Sequence, residues 1–470
     1  MKKLIMVLIP VMLLWTAQVW ASGLAIPEQG AAALGFSAAM TARSEDLSSI
    51  FYNPAGIGYV ENTELYLGVI PIIPGHAYAG NGASLDAEKK TFLPPQLYAA
   101  RRFNERVVLG FGVYAPFGLG TDWDETWNGR YTSTLAEIQC IYANPTIAYK
   151  VNDMISLGVG VSYVYSNATI EKKIDTGLVL YGETKDTALA SITAPMIANT
   201  DYDSHFSLDG SGSGFGYNIG ALITPIEKLQ LGISYRGATD IEYEGDAKFS
   251  HNKTAIENIP GMGTLLYTGV ASKMPATQDG ETTLHLPWML NLGAKYDITD
   301  IWDASVDFDF VGWSVYDELT IDFADDKPKD KSTMDKDWEN SFVFRAGTSY
   351  DINESLVARG GFLFDQSPVP DNTFDGQLPD NDRTGISFGA GYKIGMFRID
   401  ASYMFLSFSD RTKNNLIGYS DTNDDDKVDN VDQATSNGAL ALQQRGAYPV
   451  GNGNFESSAN LFAVSVSYNF

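Results

Sequence analysis

"NLFAVSVSYNF", residues 460–470, is the stretch that decides the fold. Phe462, Val464, Val466, Tyr468 and Phe470 fall on one side of an extended chain, and Ser465, Ser467 and Asn469 on the other. A period of two with one apolar and one polar side describes a strand between two different solvents. In a soluble sandwich the apolar side would meet a second sheet; in a barrel it meets lipid. The same alternation recurs at 155–165, 302–310 and 397–405. Charges stand on the second face there and in similar segments, among them Asp303, Asp307, Asp309, Arg398, Asp400, Arg236, Arg345 and Arg359. They suit a polar lumen and are costly facing lipid.

Working outward, the alternation yields fourteen strand segments from residue 64 to residue 470, an even number as single-chain bacterial barrels require. Short turns at "RFNER", "KVNDM", "TPIEKL", "DITDI", "DINES" and "KIGM" alternate with long loops along the chain. That rhythm belongs to a barrel with short periplasmic turns and long outer loops. After the N-terminus no run supplies the ~20 apolar residues of a membrane helix. Yet 44% of residues are hydrophobic, with 24 Phe, 25 Tyr and 8 Trp, so apolar surface must be spread over strands. The net charge of −26 leaves no basic stripe for phosphates and excludes a nucleic-acid partner. One cysteine, Cys140, excludes an internal disulfide framework.

Lys2 and Lys3 precede an apolar run at 4–19 that ends in small residues, so residues 1–21 read as a signal peptide cleaved after Ala21. The chain then divides into a leader, 22–60, and a β-barrel, 61–470. The leader carries "SSIFYNPAGIGYV" at 48–60. Pro54 restricts its own φ and biases Asn53 away from helix, so Asn53–Pro54–Ala55–Gly56 should fix a tight corner.

In order along the chain come "SGLAIPEQGAAALG", "NPAG", "YAPFGLGTDW" with "GRY", "NPTIAYKVND", "SGFGYNIGAL", "GWSVYDEL", "FDQSPVP" with "LPDNDR", and a terminal Phe470. Together they resemble the FadL/TodX-type outer-membrane transporters of long-chain fatty acids and hydrocarbons. The resemblance implies an all-β membrane protein: a 14-stranded antiparallel outer-membrane barrel with an N-terminal hatch inside the lumen. It also implies capture of a fatty acid or hydrocarbon from outside and lateral release through the barrel wall into outer-membrane lipid and lipopolysaccharide. Residue by residue, it places Asn53, Pro54, Ala55 and Gly56 in the hatch and Leu24 and Lys172 at the ligand. It places Pro116, Gly118 and Gly220 at the lateral opening. Lysine at 172 stands where the fatty-acid member has arginine, keeping a cation but losing the bidentate fork. A second basic position falls on Lys331 or Lys336.

"DTNDDDKVDNVD" at 421–432 puts Asp421, Asn423, Asp425, Lys427, Asp429 and Asp432 at positions 1, 3, 5, 7, 9 and 12 of an EF-type calcium loop. Asp426 replaces the turn glycine and Asp432 the usual glutamate. A structural calcium is the cofactor expectation; transport itself calls for none. Three other readings compete: uptake of neutral aromatic or aliphatic hydrocarbons, a general porin, and an outer-membrane lipid hydrolase. The hydrolase is disfavoured because His76, His205, His251 and His285 fall mostly in loops. The serines of "GSGSG" at 210–214 are also out of register for a nucleophile elbow.

Overall fold

The computed structural model describes residues 23–184, 187–324, 332–415 and 450–470. Residues 1–21, expected as a signal peptide, Lys331, and Asp421 to Asp432, expected as a calcium loop, lie outside them. Fourteen antiparallel strands close into a barrel. They are β1 (Thr63–Val69), β2 (Pro95–Arg102), β3 (Val107–Asp122), β4 (Leu135–Lys150), β5 (Ile155–Ile174), β6 (Ser204–Ile226) and β7 (Leu229–Arg236). There follow β8 (Trp288–Thr299), β9 (Trp302–Gly312), β10 (Ser341–Asp351), β11 (Leu356–Asp365), β12 (Arg383–Ile394), β13 (Phe397–Phe408) and β14 (Gly453–Asn469). Each pairs with the next, and β14 returns to β1 with Tyr468 opposite Leu65. Closure satisfies the backbone within the sheet, the condition for a strand to exist in hydrocarbon.

Exposure follows the alternation. On β14, Phe462, Val464 and Val466 are 46%, 51% and 38% exposed, whereas Ser465 and Ser467 are 1% and 5%. Leu157, Val159, Val161, Tyr163 and Tyr165 of β5 point outward, while Ser156, Ser162 and Ser166 are buried inside. So much contiguous exposed apolar surface is lipid-facing. Arg236, Arg345, Arg359, Asp307 and Asp400 are all buried on the inner side.

Three of the short turns share one device. Asn104 Oδ1 accepts from the backbone N–H groups of Arg106 and Val107, both at 2.9 Å. Asn152 caps Met154 and Ile155 in the same way, and Asn353 caps Ser355 and Leu356. An Asx turn of this kind reverses the chain with few residues.

At the other end several strands run past the bilayer. β6 begins at Ser204, well before its alternating segment "SGFGYNIGAL" at 213–222. There Phe206 and Leu208 pack with Leu266 and Val270 of the loop helix Gly263–Lys273 instead of meeting lipid, so the apolar-out alternation is lost.

Residues 23–60 fill the lumen. They form α1 (Ala31–Gly35), α2 (Ser49–Tyr52) and a 3-10 turn, Pro54–Tyr59. Ala31, Ala32, Ala33, Ala39, Ala42 and Ala55 are all 0% exposed, since a methyl group lets backbone approach wall closely.

Candidate functional site

The site is built from the leader outward. Asn53 takes an extended backbone (φ −153°), and its Oδ1 accepts from Ala55 N–H at 3.1 Å, capping the turn that Pro54 begins. Its Nδ2 donates to Thr41 O at 2.8 Å and to Ala221 O on β6 at 3.0 Å. Ser156 Oγ donates to Ala55 O at 2.8 Å. The corner therefore joins two parts of the hatch to two wall strands.

Glycines make the fit possible. A Cβ on Gly158 would lie 2.3 Å from Pro54 C, and one on Gly220, its partner across β5 and β6, 2.1 Å from Asn53 Oδ1. Gly220 thus seats the hatch corner.

Wall side chains grip the hatch backbone all round. Asn218 Nδ2 donates to Ile50 O at 3.0 Å, Arg236 Nη2 to Phe51 O at 2.9 Å, and Arg345 Nη1 to Ser37 O at 3.1 Å. Asp307 Oδ2 accepts from Thr41 N–H at 2.7 Å. Arg43, wholly buried, pairs with Glu45 at 2.6 Å and with Asp303. Each neutral bond contributes about 1 kcal/mol net, and the charged ones more. The hatch body is consequently fixed.

Its front edge is held differently. β2 pairs with β3 only as far as Leu97 opposite Val113. Beyond Tyr114 the β3–β4 register slips by one residue, absorbing Ala115–Pro116, and β3 has lost its β2 neighbour. The hatch takes that place. Ile26 N–H donates to Pro116 O at 2.7 Å, Gly118 N–H to Leu24 O at 3.1 Å, and Gln29 Nε2 to Ala115 O at 3.0 Å. Pro116 has no N–H to leave unpaired, which suits it to the bulge. Pro116 and Gly118 stand at this break. Gly220 lies elsewhere, on β6, three strands round from β3.

Leu24 and Lys172, the residues expected at a ligand, lie in separate surroundings linked through Tyr316 and Lys336. Leu24 is partly buried against an apolar cluster containing Phe117, Trp313, Tyr316 and Trp338. Lys172 is half-buried near the end of β5, past Tyr165, the last of the outward-facing apolar residues there. Its ammonium lies 5.9 Å from the Phe206 ring centroid. Lys336 is buried, donating to Gln377 Oε1 at 2.8 Å and standing 3.6 Å from Asp375. Burial depresses the Lys172 pKa, the Lys336 charge depresses it further, and Asp375 opposes both. Burial also pulls on Lys336, but Asp375 and neighbouring Tyr316 leave it raised. Of the two candidates for the second basic position, Lys336 is the one within the described residues, and its charge is felt at Lys172. Two cations and one carboxylate leave a net positive charge for an anionic head group, beside an apolar wall for its tail.

Sequence reasoning missed two features. One is a ladder of buried tyrosines on the inner faces of β1 to β4, with ring centroids 5.4 Å apart for Tyr66–Tyr98, 5.9 Å for Tyr98–Tyr114 and 5.8 Å for Tyr114–Tyr142. Aromatics on the otherwise polar parity of those strands were its signal. The other is Asp380, whose Oδ2 accepts from Gly23 N–H at 3.0 Å and Ser367 Oγ at 2.7 Å.

The family described as outer membrane protein transport protein (OMPP1/FadL/TodX) matches residues 12–470. The chain belongs to this family. It is an outer-membrane barrel protein, and the family's members are transporters and channels. The chain is 27% identical over 401 residues to a long-chain fatty acid transport protein of Escherichia coli, covering 83% of this chain and 88% of that one. A putative outer membrane protein of Neisseria meningitidis is 27% identical over 418 residues, with 84% and 88% covered. Among solved structures, a Pseudomonas aeruginosa FadL homologue superposes with a TM-score of 0.78 at 19% identity, covering 96% of this chain and 100% of that one. The Pseudomonas putida toluene transporter TodX gives 0.65 at 14%, with 96% and 99% covered. These last two establish shared architecture.

Proposed function

We infer that this protein carries long-chain fatty acids or similar hydrophobic compounds across the outer membrane and performs no chemistry on them. The observation carrying this reading is the break between β2 and β3, bridged by residues 24–26 of the hatch. An apolar ligand gains nothing from an aqueous pore, but a wall gap at the apolar belt leads straight into lipid. Residues 23–60 act as the plug, and the 24–26 edge as its gate. Few bonds hold that edge, at about 1 kcal/mol each, so a minor open state is accessible. Lys172 and Lys336 receive a carboxylate, and Leu24 and the Trp313 cluster its chain. A general porin would need the bore that residues 23–60 occupy.

The test is twofold. Protein extracted from its native membrane should carry long-chain amphiphiles identifiable by mass spectrometry, and cells lacking their own transporter should import labelled hexadecanoate when supplied with this chain. Absence of import with correctly inserted barrel would overturn the reading. Neutral hydrocarbon is the second reading, favoured by the acidic residues next to the gate.

A further inference from the structure

Immediately behind the gate lies a cavity of about 50 Å³, room for a few waters where one needs roughly 10–15 Å³. Its walls include Gly23, Ala25 and Ile26 of the gate, Gly120 and Thr121 of β3, and Ile72 of the strand that continues β1 upward. The cavity is thus flanked by the two strands between which β2 stops. Across the gate edge is the capture side: a Cβ on Gly23 would lie 2.6 Å from the Trp338 ring and 3.1 Å from Trp313. Trp338 packs on Tyr316 at 4.9 Å, and Tyr316 adjoins Lys336. The cavity therefore lies between the surroundings of the lysines and the wall gap, on the course a ligand would take under the transport reading.

The polar lining is acidic. Asp380 and Glu28 both face the cavity, and they are 4% and 1% exposed. Glu28 Oε1 has no hydrogen-bond partner, and its ion-pair partner, Arg345, stands 3.7 Å away. Arg383 also lines the cavity, but its guanidinium is engaged by Asp365 at 2.8 and 2.9 Å. His76 of the β1 continuation completes the titratable lining, its Nδ1 2.8 Å from Ser457 Oγ. Behind these stand Asp382 and Arg411, the latter donating to Asp380 O at 3.1 Å. Capture favours an anion, whereas the exit opposes one.

We propose that Glu28 and Asp380 make the exit a head-group filter, so that ligands leave as neutral molecules: hydrocarbons, alcohols, or fatty acids in the protonated form. The proposal rests on the transport reading above. A captured carboxylate takes a solvent proton as it parts from Lys172 and Lys336, and the filter rejects it until then. Burial, reinforced by Asp365 and opposed by Ser367 and Arg383, raises the Asp380 pKa to about 6. Its repulsion is therefore full above that value and fades as pH falls through it.

The experiment compares import of tetradecanoate and 1-tetradecanol by cells carrying wild-type, Asp380→Asn or Glu28→Gln/Asp380→Asn protein. Asparagine at 380 keeps an oxygen for Gly23 N–H, and heat-modifiable migration verifies each barrel. In wild type the alcohol-to-acid import ratio should fall about tenfold between pH 8 and pH 5.5, as a one-unit repulsion predicts. The variants should show a low ratio already at pH 8 and a flatter profile. A wild-type ratio that does not change with pH overturns the filter, as does a variant ratio equal to wild type at pH 8. Import of neither probe by a folded wild-type barrel overturns the transport reading with it.

Discussion

A Gly220→Glu protein will insert as a folded, heat-modifiable barrel and import almost no ligand. The backbone pairing of β6 with Gly158 and Ser234 needs no side chain at 220, so the wall survives. The inner face does not. A Cβ there would already meet Asn53 Oδ1 at 2.1 Å and Pro54 Cδ at 3.0 Å, and a carboxylate must then be accommodated among Asn53 and Ala221 carbonyl oxygens. Burying that charge without a partner costs more than displacing the corner. The corner moves, and it pulls on Thr41 and on the whole hatch packing that sets residues 23–29 against β3. Gly220→Ala, with one methyl group, should give a partial defect. Undiminished import by Gly220→Glu would mean that the hatch corner has no part in transport.

Replacing Lys172 and Lys336 together by alanine should weaken hexadecanoate binding by roughly 10–100-fold, a charge-assisted bond being worth about 1.5–3 kcal/mol. Hexadecanol binding should change little, because the Leu24 and Trp313 surroundings remain. Isothermal or fluorescence titration of detergent-purified protein reads both. Lys336→Ala alone should be the more damaging single change, since it leaves Asp375 facing the incoming carboxylate. Lys172→Arg should retain affinity. The depressed Lys172 pKa adds a pH signature: the cation is lost as pH rises through its lowered value, so affinity for the carboxylate should decline earlier on the alkaline side than an ordinary lysine would allow. Equal losses for acid and alcohol would place the two lysines outside the ligand site.

The parts legible in the sequence are those governed by short-range rules. Alternation along "NLFAVSVSYNF" reports which side chains meet lipid, because one residue of slip would turn Ser465 and Ser467 outward. Asn104, Asn152 and Asn353 mark turns through their own side-chain bonds. Asn53–Pro54 announces its corner for the same local reason.

What the sequence withheld depends on the path of long loops. Nothing in the sequence announces that Lys336 packs with Asp375, Gln377 and Tyr316, partners that loop packing alone brings to it. Asp380 sits in a loop with other carboxylates, and nothing nearby in sequence signals Gly23 as its partner. Gly220 is one of 45 glycines, and its role is defined by Asn53, far away along the chain. The β6 extension escaped notice because Phe206 and Leu208 pack under a loop helix instead of facing lipid.

Locking the gate tests the central claim most directly. Ala25 and Phe117 are bridge partners between hatch and β3, and antiparallel partners have Cα atoms roughly 4.5–5.5 Å apart, within reach of a disulfide. The pair Ala25→Cys/Phe117→Cys is made in a Cys140→Ser background, because Cys140 lies opposite Phe117 on β4. Oxidised protein should stop importing fatty acid and regain import on reduction. Import by the fully cross-linked protein at the rate of the reduced one would contradict the account.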